Sequence, residues 1–222
     1  MDSPWSRPET VAGFVASPPN DTLIRFAAGE IARLAGPRAV DIGCGAARNA
    51  VPLAEDGWSV VGMDDSMPML MAALDRARQA GVTGRCHLAL APMDRLPVRS
   101  GAADLVIAHG IWNLARSAAE FRQAVGEAAR VAKPGAALFV FTFSRNTLGP
   151  GAAPVAGEPF VFTEFSGQPQ CFLTGSQLVT ELAVAGFEPD EGVPLRELNR
   201  RPPGALRTGG PPVIWEGTFR RR

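Results

Sequence analysis

The sequence predicts an α/β protein built on a doubly wound, mainly parallel sheet. Two observations predict it. Short apolar, β-branched runs alternate with segments of helical periodicity as far as residue 143, the rhythm of strand–helix–strand units. The first of these units ends in Asp41-Ile42-Gly43-Cys44-Gly45-Ala46-Ala47, and the strand after it ends in another acid, Asp64. A glycine turn between strand and helix, with an acid closing the next strand, is how an open sheet holds a nucleoside cofactor. At 222 residues the chain suits one domain, 1–222.

Each element has a local cause. Asn20-Asp21-Thr22 offers a helix N-cap, and Leu23, Phe26, Ala27, Ile31 and Leu34 follow at helical spacing until Gly36-Pro37 stops them. Arg38 to Ile42 is a short buried strand. Ala47 to Asp56 reads as a helix closed by Gly57, and Trp58 to Met63 as a second parallel strand. Ser66 caps the next helix, with Pro68 in its first turn and Met69, Leu70, Ala73 and Ala77 on one side. Arg85 to Ala91 and Asp104 to His109 are the third and fourth strands, the latter running into a turn at Gly110. Ala118 to Ala132 is a helix that Lys133-Pro134-Gly135 terminates, and Ala136 to Phe143 is the fifth strand.

After Phe143 the rhythm breaks. Residues 144–172 are rich in Pro, Gly and Phe, and loops of this length are usually binding segments or lids. Thr174 to Ala185 resumes as a helix, Gly186-Phe187 turns it, and two last strands are expected near Val193–Leu198 and Val213–Arg220. Residues 200–212 read as an exposed hairpin loop, and residues 1–20 as an N-terminal arm.

Composition narrows the function classes. Net charge is +0 and the pI about 6.7, so nothing advertises a nucleic-acid backbone as partner. Arg220-Arg221-Arg222 reads as a solvated basic tail. Cys44, Cys86 and Cys171 lie far apart with no Cys-x-x-Cys pair, so neither a disulfide framework nor a metal site is expected. Met1 to Thr10 lacks the apolar core of a signal peptide. The longest uncharged apolar run, Gly135 to Phe143, is too short to span a bilayer. The expectation is a soluble, cytoplasmic protein with no membrane partner, monomeric or homodimeric.

The glycine turn admits two cofactors. A dinucleotide fingerprint needs a third glycine at position 48, where this chain has Arg48. A pyrophosphate also disfavours an acid at the strand end, whereas the α-ammonium of a methionine moiety welcomes Asp41. The details favour S-adenosylmethionine.

The series of motifs resembles the class I S-adenosylmethionine-dependent methyltransferases, especially small enzymes of the methyltransferase-domain type acting on metabolites. Val40-Asp41-Ile42-Gly43-Cys44-Gly45 is similar to the family's first motif, and Gly62 to Leu70 to its second, with Asp64 at the ribose-binding acid. Ala91-Pro92-Met93-Asp94-Arg95-Leu96-Pro97 resembles the segment whose acid bonds the adenine amino group. Ala103 to Ile107 resembles the fourth strand, and Arg130 to Gly135 the approach to the fifth. The resemblance spans about residues 20 to 190 and implies a seven-stranded, Rossmann-like methyltransferase fold whose last strand is antiparallel, with a lid-like insertion at 144–172. Ala47 replaces the usual third glycine of the first motif, which implies a slightly tighter pocket. No Asn/Asp-Pro-Pro-aromatic tetrapeptide follows the fourth strand, where Ala108-His109-Gly110-Ile111 stands. That departs from the family's exocyclic-amine nucleic-acid enzymes.

Site candidates follow, each beside its plainer reading. For the cofactor they are Asp41, Gly43, Cys44, Gly45, Asp64, Asp65, Met93, Asp94 and His109. On the plainer reading Gly43 and Gly45 serve only the turn, Cys44 only packing, Met93 only the core, and Asp94 only the surface. His109 ends the fourth strand, beside the cofactor's methyl in this architecture; it is a candidate base or substrate contact, or a structural hydrogen-bonding group. His87, within the third strand, reads as a core histidine. Acceptor candidates are Trp112, Asn113, Arg145, Phe160, Phe162, Phe165 and Cys171, with Phe172, Asn146, Glu164 and Gln170 nearby in sequence and Trp215 and Glu216 as weaker ones. The plainer reading is that these phenylalanines glue the insertion to the sheet and that Cys171 is a buried apolar residue.

The expected activity is methyl transfer from S-adenosylmethionine, leaving S-adenosylhomocysteine, to a heteroatom or activated carbon of a small, partly apolar metabolite. The alternatives are a protein-directed methyltransferase, a cofactor-binding protein without transferase activity, and a nicotinamide oxidoreductase.

Overall fold

A computed structural model describes residues 4–200 and 211–222 of the chain. The reading of 200–212 as an exposed hairpin loop lies almost entirely outside the described residues. Ahead of the sheet come α1 (Pro8–Ala16) and α2 (Asp21–Ile31). Pro8 starts α1, where its missing N–H is no loss, and the Asn20 side chain caps α2 by accepting from the Leu23 amide at 2.9 Å. The wound portion then runs β1 (Arg38–Ile42), α3 (Ala50–Glu55), β2 (Ser59–Asp64), α4 (Met67–Gln79), β3 (Cys86–Leu90), β4 (Ala103–His109), α5 (Ala118–Val131) and β5 (Ala132–Phe143). Ser66 and Ser117 cap α4 and α5 with their hydroxyls.

The rest of the chain contributes a short hairpin, β6 (Val161–Phe162) and β7 (Gln170–Cys171), then α6 (Gly175–Val184), β8 (Phe187–Pro189), β9 (Arg196–Leu198) and β10 (Ile214–Arg221). A capping box starts α6, Thr174 accepting from the Gln177 amide while Gln177 accepts from that of Thr174. The main sheet has the order β3-β2-β1-β4-β5-β10-β8, with β9 added beside β10. Strands β1 to β5 pair in parallel and β10 is antiparallel to β5. The doubly wound sheet with an antiparallel strand at the end is therefore present, and seven strands form its continuous path.

Alternation along the strands divides the core into two layers. Val106, Ala108, Leu138 and Val140 face α5 and α6, in a cluster with Trp112, Phe121 and Phe160. Ala39, Leu105, Ile107, Ala137 and Phe139 face α2, α3 and α4, in a cluster with Trp58 and Leu53. Asp41, two residues beyond Ala39, and His109, two beyond Ile107, fall on this second face. In-register pairing then carries one row across four strand ends, from His109 to Phe141, Glu216 and Arg196.

Several expectations need correction. The helix expected from Ala47 starts at Ala50, because Gly43, Gly45 and Ala47 all take left-handed backbone angles and keep the chain turning. The residues Lys133-Pro134-Gly135 lie within β5, whose pairing begins at Ala132 opposite Ala103 and shifts register there. Phe187, read with Gly186 as the turn after α6, instead opens β8, the strand that pairs with β10, while the strand near 193–198 shortens to β9. Arg220 and Arg221 are not a solvated tail but the end of β10. Arg220 pairs with Glu30 at 2.8 Å and with Asp190 at 2.6 Å. His87 is exposed, since β3 forms the edge of the sheet. No helix of the described residues is long and apolar enough to cross a membrane.

Candidate active site

The C-terminal ends of β1, β2 and β4 converge where the glycine turn leaves the sheet, the place where open α/β sheets bind ligands. The Asp64 carboxylate accepts from the Gly45 amide and the Ser66 amide, each at 2.9 Å. It therefore ties the first turn to the start of α4. Burial raises its pKa, against the two amides that favour the charged form. Asp65, its neighbour, is exposed.

Asp41 is fully buried, and its Oδ2 has no hydrogen-bond partner. Burial pushes its pKa up to about 7, opposed by the positive charge of Arg48 and reinforced by Asp64. Cys44 is a buried thiol, raised well above the usual range by burial and by Asp41 and Asp64. That makes it a packing residue with no thiolate character.

The Ile111 and Phe14 side chains pack directly against the two glycines, where a Cβ would stand. A Cβ on Gly43 would meet the Ile111 side chain at 2.6 Å, and one on Gly45 would meet the Phe14 ring at 3.0 Å. Both are in left-handed conformations, as is Ala47 with φ 57°. Phe14 belongs to α1 and packs edge-on against Trp5 at 6.0 Å. The Ser66 hydroxyl donates to the Trp5 carbonyl at 3.2 Å. The N-terminal segment thus lies over the turn.

His109 stacks on Phe141 with ring centroids 4.1 Å apart. Its Nδ1 lies 3.1 Å from Arg48 Nη2 and its Nε2 3.1 Å from Asn20 Nδ2. The Asn20 amide is oriented by its other contacts, for Oδ1 accepts from Leu23 and Nδ2 also donates to Glu216 Oε1 at 3.0 Å. Donor groups therefore face both ring nitrogens, so an imidazolium would find no acceptor and the neutral ring, with one acceptor nitrogen, bonds only one of them. Burial, then the charge of Arg48, lowers the His109 pKa to about 3. The ring is a neutral, engaged imidazole and a weak proton acceptor.

These residues fit S-adenosylmethionine. The buried, unpartnered oxygen of Asp41 suits an α-ammonium, Asp64 suits ribose hydroxyls, and the left-handed Gly43 and Gly45 supply the tight turn such a site needs. The methyltransferase domain family matches residues 40–140, the span from β1 through most of β5. Just under half of the chain, residues 40–140, thus matches a methyltransferase domain.

This methyltransferase is 28% identical over 185 residues to a ubiquinone biosynthesis O-methyltransferase of Azorhizobium caulinodans, covering 81% of this chain and 69% of that one. Among solved structures it resembles the [4+2]-cyclase SpnF, with a TM-score of 0.63 and 26% identity over 80% of this chain and 60% of that one. It therefore spans less than two thirds of the cyclase chain. It also superposes on 1,6-didemethyltoxoflavin-N1-methyltransferase of Burkholderia thailandensis, solved with S-adenosylhomocysteine bound, with a TM-score of 0.65 and 17% identity over 100% of this chain and 93% of that one.

The other candidates of the methyltransferase are placed as follows. Met93 and Asp94 are half-buried on the segment after β3, which α5 holds through Glu127 accepting from the Leu96 amide at 2.7 Å. Trp112 and Asn113 are buried just after β4, and Trp112 Nε1 and Asn113 Oδ1 have no hydrogen-bond partner. Phe160, Phe162, Cys171 and Phe172 are buried within the core rather than lining an open wall, whereas Phe165 is 46% exposed. Arg145 turns back on its own loop, donating to the carbonyls of Gly149 and Ala152 at 3.1 and 2.7 Å. Cys171 donates to the Ala115 carbonyl at 3.3 Å, and burial raises its pKa.

Arg48, Asn20, Phe14 and Ile111 are the site residues that sequence reasoning missed. Arg48 carried a signal, a cation one residue after the turn, but its charge was read only as the loss of a glycine.

Proposed function

We propose that this methyltransferase acts on a small, partly apolar metabolite, transferring the methyl to a heteroatom or activated carbon by in-line displacement. The observation that carries the reading is cover. Trp5 and Phe14 lie over the cofactor turn, Asn20 bridges His109 and Glu216 at the ends of β4 and β10, and the 144–172 segment packs over the end of β5. Such an enclosure suits a small acceptor better than a protein surface. The names of the ubiquinone and toxoflavin enzymes, both acting on small molecules, support the same class.

The cofactor supplies a methyl group on a sulfonium that departs as a neutral thioether. What the chain supplies is position. Asp41 and Asp64 hold the cofactor's two polar ends, and the Trp5–Phe14 cover excludes water. Holding an acceptor lone pair about 3 Å from the methyl and in line with the sulfur is worth up to about 7–11 kcal/mol. His109, neutral and accepting from one of the two donors that face it, shapes the acceptor's floor through its stack on Phe141, and the reading assigns it no proton transfer. Asn113 and Trp112, buried with unpartnered polar atoms, are the acceptor's hydrogen-bonding groups in this reading.

The likeness to a [4+2]-cyclase favours one second reading, a cofactor-binding protein that transfers no methyl. Methyl-labelled S-adenosylmethionine incubated with the protein and a boiled, size-fractionated extract separates the two. Label in the low-mass fraction is expected. Label in macromolecules would replace this reading with a protein-directed enzyme, and tight cofactor binding without transfer would favour the second.

A further inference from the structure

Asn20 joins the N-terminal segment to the sheet, at the junction of α1 and α2. Its backbone amide donates to Asn49 Oδ1 at 2.9 Å, just ahead of α3. Its side chain meets the Leu23 amide at 2.9 Å, Glu216 Oε1 at 3.0 Å and His109 Nε2 at 3.1 Å. These partners tell the two ends of the side-chain amide apart. A backbone N–H only donates, so Oδ1 faces Leu23. A carboxylate only accepts, so Nδ2 faces Glu216, whose other oxygen pairs with Arg196 at 3.0 Å. The end turned to His109 is therefore an NH2 group, and turning it over would break both of the other bonds.

That orientation decides the state of the imidazole. A neutral ring has one N–H and one lone pair. Arg48 faces Nδ1 as Asn20 faces Nε2, and the ring accepts from only one of them. A proton on Nε2 would point at the Asn20 NH2, which its other bonds pin in place. A proton on Nδ1 would point at Arg48, whose long side chain can turn while Nη1 stays on the Pro18 carbonyl at 3.2 Å. Only the second conflict can relieve itself.

We propose that Asn20 is a positioning residue that fixes His109 as the Nδ1–H tautomer, with Nε2 accepting, and thereby holds the ring in place as the floor of the acceptor site. The importance of that floor rests on the function proposed above. Register shows how the hold works. His109 and Glu216 flank Phe141 across three neighbouring strands, so the Asn20 amide spans the residue on which the ring stacks. One side chain thus fixes the N-terminal segment, the end of β4 and the end of β10 relative to one another. Without it the ring changes tautomer and can swing, and a misplacement of about 1 Å is enough to cost about 100-fold in rate.

The test is nitrogen NMR of the isotope-labelled full chain at neutral pH, where long-range proton–nitrogen correlations separate a ring nitrogen that carries a proton from one that does not. The chain has 2 histidines, and His87→Gln removes the signals of the exposed one. In the wild type the proton is expected on Nδ1 of His109. Asn20→Ser keeps a good helix cap but is too short to reach the ring, so the proton should move to Nε2 and Nδ1 should accept from Arg48. The same variant should transfer label from S-adenosylmethionine to the low-mass fraction of the boiled extract about 10-fold or more slowly, with its affinity for S-adenosylhomocysteine within about threefold of wild type. A proton on Nε2 in the wild type would overturn the proposal without any variant. So would a tautomer that Asn20→Ser leaves in place, or an unchanged rate once it has moved. A wild-type protein that transfers no methyl would instead defeat the acceptor reading, and the tautomer would still show whether Asn20 sets the ring.

Discussion

The glycine turn and the 144–172 insertion sit at the same end of the sheet and solve opposite problems. In the insertion every large side chain finds company. Phe172 is fully buried and touches Phe143, Phe162 and Phe165 at centroid distances of 5.3 to 6.1 Å. Arg145 lies over Phe162 and bonds two carbonyls of its own loop. At the turn, by contrast, Asp41 has an orphaned oxygen, Arg48 pairs with no carboxylate among the described residues, His109 is held neutral and Ala47 is strained into the left-handed region. Packing that satisfies itself builds structure. A cluster of local dissatisfactions that the surrounding fold enforces marks the place prepared for a ligand.

That contrast can be broken from either side. Phe172→Ala should have the largest effect, a destabilisation of about 3–5 kcal/mol in chemical unfolding, with cofactor affinity of the folded fraction unchanged. A loss of affinity at intact stability would instead make the insertion part of the cofactor site.

The next effect concerns pH. The folded pKa of Asp41, about 7, lies above its unfolded value of 3.8, so its contribution destabilises the protein as pH rises from about 4 to 7. The folded pKa of His109, about 3, lies below its unfolded value of 6.5, so its contribution stabilises the protein as pH rises from about 3 to 6.5. Between about pH 4 and 6.5 the two slopes oppose each other. His109→Gln should unmask Asp41, and the ligand-free variant should lose stability by up to about 4 kcal/mol across pH 4 to 7. A flat profile in that variant would show that Asp41 does not hold its proton.

Asp64→Ala removes two backbone anchors and the acid assigned to the ribose, and should weaken S-adenosylhomocysteine by about 3 kcal/mol or more. Tight binding retained by a folded Asp64→Ala protein would contradict the cofactor site as drawn. The smallest effect belongs to Ala47→Gly. Relief of a left-handed alanine and the greater freedom of glycine in the unfolded chain oppose each other, leaving a net gain of about 1 kcal/mol or less. A thermal melt showing a clear loss would mean that the buried Ala47 methyl outweighs the strain.

Much of the sheet was readable because its signals are local. The caps Asn20, Ser66 and Thr174, the apolar runs of β1, β2 and β4, and the Gly-x-Gly turn each follow from neighbours in sequence. The errors came where a partner distant in sequence decided. Phe187–Pro189 is too short to announce a strand, and becomes one because β10 offers it an edge. Lys133-Pro134-Gly135 breaks the helix as expected, yet joins β5 because β4 already lies alongside. Phe160 and Phe162 read equally well as pocket walls or as glue, since aromatic composition does not say which way a ring points.

By itself the sequence determined the wound α/β order, the glycine turn and the acids at Asp41 and Asp64, because strand ends, turns and spacing are properties of the chain within a few residues. Only the tertiary structure decided what surrounds those acids. It placed Arg48 within the field of Asp41 but out of bonding reach, set Phe14 over Gly45, and aligned His109, Phe141, Glu216 and Arg196 in one row. The physical reason is that solvation, charge pairing and pKa depend on which groups share a low-dielectric space, and strand register and chain crossing, not sequence proximity, choose those groups.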